Sequence, residues 1–279
     1  MRRFIFVLFL IGFSFGLYED IATGVRPTAL SGAFTALAEG PEAVHFNPAG
    51  LDVIKNFSFT GYYKSLYGGI SGLHNMGFTL AKKISTSSLA LTLQEIGADL
   101  EGEDGGRYSE GSLTFSLARP IHPQVSIGLN LNLFHVNHPR FGSTNAFGLD
   151  FGLLSRFHRK WRMGFFIENI NRPLFKGKEK NYDLPRILYF GFALAPSDRA
   201  RTSITLRKEP DYPTRVSFGQ EVDLISDILT IRGGVLSESS LIKFSFGMSI
   251  TFKGLDVGYT LVADPNLPLT HIIGITSGR

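Results

Sequence analysis

Apolar and polar side chains alternate with a period of two residues along most of the chain. In the stretch LIKFSFGMSITF, residues 241–252, Phe244 and Phe246 fall on one face, whereas Lys243 and Ser245 fall on the other. This period predicts β-strands that have one apolar and one polar side, because successive side chains of a strand point in opposite directions. No convincing long amphipathic helix interrupts the pattern.

About fourteen segments show this alternation, and each is close to the roughly nine to eleven residues with which a tilted strand crosses a bilayer. A soluble sandwich also alternates. The number and the spacing of the segments nevertheless favour one closed barrel, because closure removes the exposed edges of so large a sheet. The predicted strands are residues 57–66, 74–83, 87–97, 108–119, 124–135, 144–157, 161–170, 186–196, 200–208, 214–225, 228–237, 241–252, 254–262 and 268–277.

The connections between these strands alternate between a longer and a tighter kind. Outer-membrane barrels have this property, because their periplasmic turns are short and their extracellular loops are longer. We therefore predict an all-β fold, a transmembrane up-and-down antiparallel β-barrel whose tight turns face the periplasm. The longer connections are residues 67–73, 98–107, 136–143, 171–185, 209–213, 238–240 and 263–267, and the tight ones are 84–86, 120–123, 158–160, 197–199, 226–227 and 253–254.

The polar face of each strand then points into the barrel lumen. Charges of both signs occur on this face, which favours a plugged, hydrogen-bonded interior over a strongly ion-selective pore. Phe134 and Phe166 are aromatic residues that we expect to line the lumen. The charged residues expected there are Asp150, Glu168, Arg207, Arg215, Glu221, Arg232, Lys243 and Asp256.

The chain begins with an apolar leader and a compact segment rich in Gly and Ala. Residues 1–16 combine two arginines, an apolar core and small residues, which predicts a cleaved secretory signal peptide. Residues 17–55 are expected to form a small helical hatch, with the helix-compatible piece ALSGAFTALA folded into the barrel from its periplasmic end. Residues 56–279 are then the transmembrane barrel. The alternative is a helical lead-in that lies outside the barrel.

Arg26 is the sole basic residue between the leader and Lys55. Asp150 and Glu168 lie on neighbouring predicted strands, where two like charges repel unless a cation intervenes. Because a guanidinium can bind two carboxylates at once, we hypothesise that Arg26 anchors the hatch to Asp150, Glu168 or both. The alternative places Arg26 in water at the periplasmic mouth, while Arg232 pairs with Glu221.

Composition constrains the outer surface. The mean hydropathy is +0.09, and the chain contains 25 Phe and 31 Gly but only 19% charged residues. We therefore expect outer-membrane lipid as a partner of this surface. The chain has no Cys, which excludes disulfides and thiolate metal sites. A net charge of +4 without a basic run does not favour a nucleic-acid partner.

No pattern of residues predicts an enzyme. The Gly-rich start lacks both a preceding strand and a following Gly-Lys-Ser/Thr, so it does not indicate a P-loop. His135 and His138 are spaced like metal ligands, but no third ligand is near them and solvated polar residues are the favoured interpretation. No Ser/His/Asn set stands out by its spacing. We expect no catalytic residue, no metal and no cofactor.

The stretch GVRPTALSGAFTALAEGPEAVHFNPAGL, residues 24–51, carries a family resemblance. It resembles the N-terminal signature of the outer-membrane barrels grouped around the FadL-type transporters of long-chain fatty acids and the PorV/PorQ proteins. The resemblance implies an outer-membrane location and a hatch. The positions of the expected hatch motif are Gly24, Arg26, Gly32, Phe34, Asn47, Pro48, Ala49 and Gly50.

Two functions follow from the resemblance. FadL-type proteins imply a gated transport channel, in which a small hydrophobic molecule enters the lumen and leaves near the hatch. PorV/PorQ-type proteins imply a secretion or envelope-scaffold component that binds exported proteins or parts of the secretion system, with residues 98–107 and 171–185 as the contact surface. The transport channel is the favoured interpretation, and neither one names a substrate or partner.

Overall fold

The computed structural model describes residues 23–100, 105–140, 142–157, 160–177, 181–239 and 241–277. The signal peptide expected in residues 1–16 lies outside the described residues and stays a prediction. Within the described ranges, no helix is long and apolar enough to cross a membrane.

Fourteen of the described strands close into one antiparallel barrel, which confirms the predicted fold. In chain order the strands are β1 Phe57–Ser65, β2 His74–Ile84, β3 Ser87–Leu100, β4 Gly106–His122, β5 Val125–His138, β6 Gly142–Phe157, β7 Trp161–Glu168, β8 Leu174–Phe175, β9 Tyr182–Asp183, β10 Ile187–Ser197, β11 Ala200–Lys208, β12 Arg215–Ile225, β13 Leu229–Glu238, β14 Leu241–Phe252, β15 Leu255–Asp264 and β16 Leu267–Ser277. The barrel closes where β1 pairs with β16, and β7 pairs directly with β10. β8 and β9 form a separate hairpin between them.

Side chains alternate across the barrel wall as the sequence predicts. In β14, Phe244 and Phe246 are 56% and 54% exposed on the outer face, whereas Ser245 and Ser249 are buried on the inner face. Leucines likewise point outward from β3, β4 and β5, while threonine, serine and asparagine side chains point inward. An apolar exterior around a polar interior reverses the arrangement of soluble proteins and is typical of barrels that lie in lipid.

Short turns connect the strands at one end of the barrel, namely at residues 85–86, 123–124, 158–160, 198–199, 226–228 and 253–254. The connections at the opposite end include two long ones, at residues 66–73 and 169–186. The six connections that were predicted to be tight therefore lie together at one end. The N-terminal segment also enters the barrel from this end, because it joins the start of β1.

Two connections at the opposite end are tighter than expected. The longer connections predicted at residues 238–240 and 263–267 are wrong, because only two residues separate β13 from β14 and β15 from β16. In the second of these turns, the side chain of Asp264 accepts a hydrogen bond from the backbone nitrogen of Asn266 at 2.9 Å. A hydrogen bond between an aspartate side chain and the backbone nitrogen of the second residue after it stabilises a turn locally.

Residues 23–55, the N-terminal segment, precede β1 and contain little regular helix. The helix expected over ALSGAFTALA, residues 29–38, is not formed there, because Ser31 and Gly32 adopt φ values of 52° and 81°. Left-handed residues of this kind end a right-handed helix. The helical elements of the segment are α1, Val25–Ala29, and two 3₁₀-helices, Pro41–His45 and Pro48–Val53.

The N-terminal segment packs against the inner face of the barrel. Helix α1 contacts β13 to β16, and the second 3₁₀-helix contacts β3 to β6. Leu30, Phe34 and Leu51 are completely buried, and Phe34 meets Phe46 edge-on with 5.5 Å between the ring centroids. The hydrophobic core of the molecule therefore lies inside the barrel, between the segment and the wall.

Candidate functional site in the barrel lumen

Glycine residues on the inner face allow the N-terminal segment to approach the wall closely. A Cβ atom at Gly191 would lie 2.7 Å from the backbone nitrogen of Ala36, and one at Gly258 would lie 2.7 Å from a methyl group of Val25. Both positions therefore need glycine as long as the segment is in place. Seven more strands each present one glycine at which a Cβ would come within 3 Å of the segment, namely Gly128, Gly152, Gly164, Gly219, Gly234, Gly247 and Gly274. We call these nine residues the glycine belt.

Arg26 joins the N-terminal segment to the wall through Glu221 of β12. Its Nε donates to Glu221 Oε2 at 2.8 Å and its Nη2 to Glu221 Oε1 at 3.0 Å, while its Nη1 lies 2.8 Å from Glu39 Oε1. Burial lowers the pKa of Arg26, but the charges of Glu221, Glu39 and Glu42 raise it further, so the guanidinium stays protonated. The expected anchor at Asp150 or Glu168 is wrong.

Glu221 is completely buried and also binds two arginines of the wall. Arg201 Nη1 lies 2.6 Å from Glu221 Oε1, and Arg232 Nε lies 2.5 Å from Glu221 Oε2. The alternative prediction of an Arg232–Glu221 pair is therefore present, but Arg26 is buried beside it rather than solvated. Arg232 and Asp256 border a void of about 10 Å³ next to Val25, which is room for one water molecule.

Further polar contacts hold other parts of the N-terminal segment. Arg162 of β7 donates to Glu39 at 2.9 Å, and Arg156 of β6 binds both carboxylate oxygens of Asp52 at 2.7 and 2.8 Å. Two-point arginine–carboxylate contacts of this kind are stronger and more directional than neutral hydrogen bonds. The segment is thus tied to the wall near its start, its middle and its end.

The predicted motif residues have specific local roles. Asn47 accepts a hydrogen bond from Ala49 N at 3.2 Å and donates to the carbonyl oxygen of Leu153 at 3.0 Å, so it starts the second 3₁₀-helix and fastens it to β6. Pro48 occupies the first position of this helix. Gly24 has φ of 81°, and a Cβ at Gly50 would overlap the carbonyl group of Ala38. Gly32 forms part of the left-handed turn described above, and Phe34 makes the core contact described above.

Asp150 and Glu168 lie in the lumen, on the side of the N-terminal segment that faces the end with the long connections. Asp150 accepts hydrogen bonds from Asn130 Nδ2 at 3.0 Å, Asn132 Nδ2 at 2.7 Å and the backbone nitrogen of Asn169 at 2.9 Å. Glu168 accepts a hydrogen bond from Tyr189 Oη at 2.9 Å. Amide groups therefore donate to Asp150 and a phenol donates to Glu168, and Arg26 is the partner of neither carboxylate.

An inner cavity of about 100 Å³ lies directly above the N-terminal segment. Thr23, His45 and Phe46 of the segment contribute to its lining. Burial lowers the pKa of His45 to about 4, so its imidazole is neutral at neutral pH. The wall residues around the inner cavity include Gln94, Phe134, Asp150, Phe166, Glu168 and Asn169.

A larger outer cavity, of about 560 Å³, lies toward the end with the long connections. Phe46, Ile96, Tyr189 and Arg207 line both cavities, so the two adjoin. Thr28, Ser31 and Gly32 of the N-terminal segment also reach the outer cavity. Ion pairs surround it at Arg207–Glu209, 2.8 Å, Arg215–Glu238, 2.9 Å, and Lys243–Asp264, 2.8 Å.

The connection between β7 and β10 covers part of the inner cavity. Phe175 of β8 and Leu184, which follows β9, are buried against Phe134 and Val136 on the inner face of β5. The Asn171 side chain binds the backbone of β6, accepting from Leu149 N at 2.9 Å. Residues 169–177 and 181–186 therefore fold inward rather than away from the barrel.

Several residues that bind the N-terminal segment to the wall were not predicted from the sequence. Arg156, Arg162 and Arg201 occupy inward positions of their strands, and Glu39 and Asp52 lie on the segment itself. The period-two pattern contains the signal for the three arginines, because each one is an even number of residues from an inward residue already identified. The glycine belt carries the same signal, since its members also fall in the inward phase.

The fold is similar to that of known channels. The CymD monoaromatic hydrocarbon channel aligns with a TM-score of 0.70 at 13% identity, covering 92% of this chain and 98% of that one. The Pseudomonas putida toluene transporter TodX gives 0.72 at 10% identity over 94% and 100%. A Pseudomonas aeruginosa FadL homologue gives 0.64 at 11% identity over 92% and 96%. At such identities the likeness shows the fold.

Comparisons of the amino-acid sequence, in contrast to those of the structure, give no match. No family model matches the chain, and no curated protein is significantly similar to it. The likeness to these three proteins is therefore one of fold.

Proposed function

We propose that this chain is an outer-membrane transport channel for small hydrophobic compounds, in which the N-terminal segment is the hatch. The observation that carries the proposal is the pair of adjoining cavities inside a closed barrel, both bordered by residues 23–55. The likeness to channels described as carrying toluene or monoaromatic hydrocarbons supports it. The apolar exterior supports a location in the outer-membrane lipid.

The hatch gates the channel in this proposal. Residues 23–55 fill the lumen below the inner cavity, so a compound that enters from the outer end must pass them or leave through the wall. The polar contacts of Arg26, Glu39 and Asp52 hold the closed state. The alternative function, a PorV/PorQ-like secretion or scaffold component, stays a prediction that no contact surface in the described residues favours.

A vesicle assay tests the proposed function. Purified barrel in vesicles with an outer leaflet of lipopolysaccharide, which slows the unaided passage of hydrocarbons, should accelerate the entry of toluene, measured by an enclosed fluorescent reporter, relative to protein-free vesicles of the same composition. A variant with cysteines in place of Ser31 and Ser245, whose hydroxyl oxygens lie 2.6 Å apart, should cross-link the hatch to β14 and reduce entry, and reduction of the disulfide should restore it. Equal entry with and without protein would contradict transport, and copurification of a stoichiometric large protein would favour the scaffold instead.

Cysteine labelling tests the orientation. We expect a cysteine at Gly105, between β3 and β4, to react with a membrane-impermeant reagent on intact cells. A cysteine at Asp227, in the turn between β12 and β13, should react only after the outer membrane is opened. Equal labelling of the two positions on intact cells would contradict this orientation.

A further inference from the structure

The inner cavity differs chemically from a pocket built for hydrocarbons. Phe134, Phe166 and Leu184 form apolar parts of its lining. Carboxylate and amide side chains, among them those of Glu168 and Asn169, form other parts. Ligand sites that combine an apolar lining with a few polar groups orient their ligands through those groups.

Two oxygen atoms beside the cavity have unused capacity to accept hydrogen bonds. Among the described residues, the single hydrogen bond to the Glu168 carboxylate comes from Tyr189 Oη and reaches Oε2. Asn169 is 3% exposed, and its Oδ1 is buried without a hydrogen-bond partner in the described part of the chain. The neighbouring Asp150, in contrast, accepts three hydrogen bonds. Glu168 and Asn169 therefore each offer a ligand an acceptor oxygen, beside the donor groups of Tyr189 and Arg207 in the same lining.

Acceptors without partners discriminate between ligands. A hydrocarbon that displaces water from Glu168 leaves the Oε1 atom of the carboxylate without a hydrogen bond, which is costly in a site of low polarity. A ligand with a hydroxyl or amino group replaces the lost bond. Sites that provide a group for a ligand donor therefore reject the analogue that lacks the donor.

The volume of the inner cavity limits the size of the ligand. It measures about 100 Å³, whereas an apolar cavity of roughly 150 Å³ holds benzene. The inner cavity alone is therefore smaller than one that encloses a ring, and a single ring fits when part of it extends into the adjoining outer cavity. Tyr189 and Arg207 line both spaces and connect them.

We propose that the inner cavity binds single-ring organic molecules that carry a hydrogen-bond-donating hydroxyl or amino group, with Glu168 as the acceptor and Phe134 and Phe166 as the apolar contacts. This inference rests on the proposed transport function and narrows its substrate class. The preferred ligand is amphiphilic, and a plain hydrocarbon of the same shape binds more weakly.

Fluorine NMR of the purified full-length barrel tests the inference with three probes of similar size. 4-Fluorophenol has the donor, 4-fluorotoluene replaces the hydroxyl by a methyl group, and 4-fluoroanisole caps it. We expect wild-type protein to bind 4-fluorophenol about tenfold more tightly than either of the others, after correction for partition into detergent. Glu168→Met should abolish this preference and should raise the affinity for 4-fluorotoluene, because no acceptor is then left without a partner. Glu95→Met, on the outer face of β3, is the matched control and should change neither affinity.

The outcomes separate this inference from the proposed function. Equal affinity of the wild type for the three probes overturns the donor preference and leaves a hydrocarbon channel intact. A preference that survives Glu168→Met overturns the role of Glu168. If Glu168→Met does not fold, the wild-type comparison of 4-fluorophenol with 4-fluoroanisole still decides the preference. Absence of both binding and vesicle entry for all probes contradicts transport as well.

Discussion

The lumen has a filled part, occupied by the N-terminal segment, and an open part, which contains the outer cavity, and both contain arginine–carboxylate pairs. In the filled part, the side chains of Arg26 and Glu221 are 3% and 0% exposed. In the open part, those of Arg215 and Glu238 are 17% and 24% exposed. The degree of burial determines how much stability is lost when one partner of such a pair is removed. Loss of one partner of a buried pair leaves an uncompensated charge, whereas solvated pairs contribute little.

The two parts also differ in what the wall presents to the interior. The filled part has the glycine belt, which brings backbone atoms of the N-terminal segment against the strands. The open part has long side chains such as Arg207 and Lys243, and these leave room for water between them. The filled part is therefore built for close contact, and the open part for exchange.

Gly164→Val should have the largest effect on the filled part. A Cβ at Gly164 would overlap the carbonyl group of Thr35, so the branched side chain cannot coexist with the segment in its present position. Valine suits a strand by itself, so the loss comes from the segment. We expect residues 23–55 to become protease-sensitive in the folded barrel, or the barrel to fail to assemble.

Gly233→Val is the control for this substitution. Gly233 lies on the outer face of β13, and the nearest atom to an added Cβ is the carbonyl oxygen of Ser245 at 4.0 Å. We expect normal assembly and a protected segment. Equal protease resistance of the two variants would contradict close packing of the segment against the glycine belt.

Arg26→Met should destabilise the protein by about 3 kcal/mol, the lower end of the range for a broken buried pair. Glu221 keeps Arg201 and Arg232 as partners, which limits the loss. Arg215→Met in the open part should cost less than about 1 kcal/mol. Urea unfolding in detergent measures both, and limited proteolysis reports whether the segment is released. Similar losses in the two variants would remove the difference between the filled and open parts.

The sequence predicted the barrel well because its signal is local. Each strand has to place apolar residues toward lipid and polar residues toward the lumen, so the period of two is visible without knowledge of the tertiary structure. The strand bounds and most tight turns follow from it. The lengths of the turns before β14 and β16 were predicted wrongly, because Glu238 and Asp264 extend their strands by pairing across the hairpin.

The contacts of the N-terminal segment could not be predicted in the same way. Arg26 and Glu221 are 195 residues apart, and the choice among several inward carboxylates depends on how the segment is oriented inside the barrel. The helix expected in the segment was also predicted wrongly, because Ser31 and Gly32 adopt left-handed φ values of 52° and 81°. Propensity is a weak guide where tertiary packing sets the backbone.

Phe246→Arg should destabilise the barrel by about 2 to 4 kcal/mol if Phe246 faces the middle of the bilayer. Its inward neighbour Ser245 is not a suitable control, because its hydroxyl donates to the carbonyl oxygen of Ala29 at 2.9 Å. Leu236 lines the outer cavity, so Leu236→Arg places the charge in water and should cost less. Unfolding in lipid vesicles measures both losses, and equal values would contradict the assignment of faces.

His45→Gln should have the smallest effect, confined to acidic pH. His45 has a pKa of about 4 in the folded protein against 6.5 for an ordinary histidine, because burial disfavours the charged imidazole. The unfolded chain therefore binds a proton on His45 at a higher pH than the folded protein does. Stability from this residue is complete above about pH 6.5 and is lost as the pH falls toward 4.

Asp150 and Glu168 line the same cavity and are present in both wild type and His45→Gln. The difference in stability between these two proteins therefore reports on His45 alone. The imidazole is only half-buried beside the cavity, so we expect wild type to lose about 1 to 2 kcal/mol more than His45→Gln between pH 7 and pH 4. Urea unfolding at intervals of half a pH unit measures this difference. Parallel pH profiles for the two proteins would mean that His45 is hydrated in the folded barrel, and that water from the open part of the lumen reaches the imidazole.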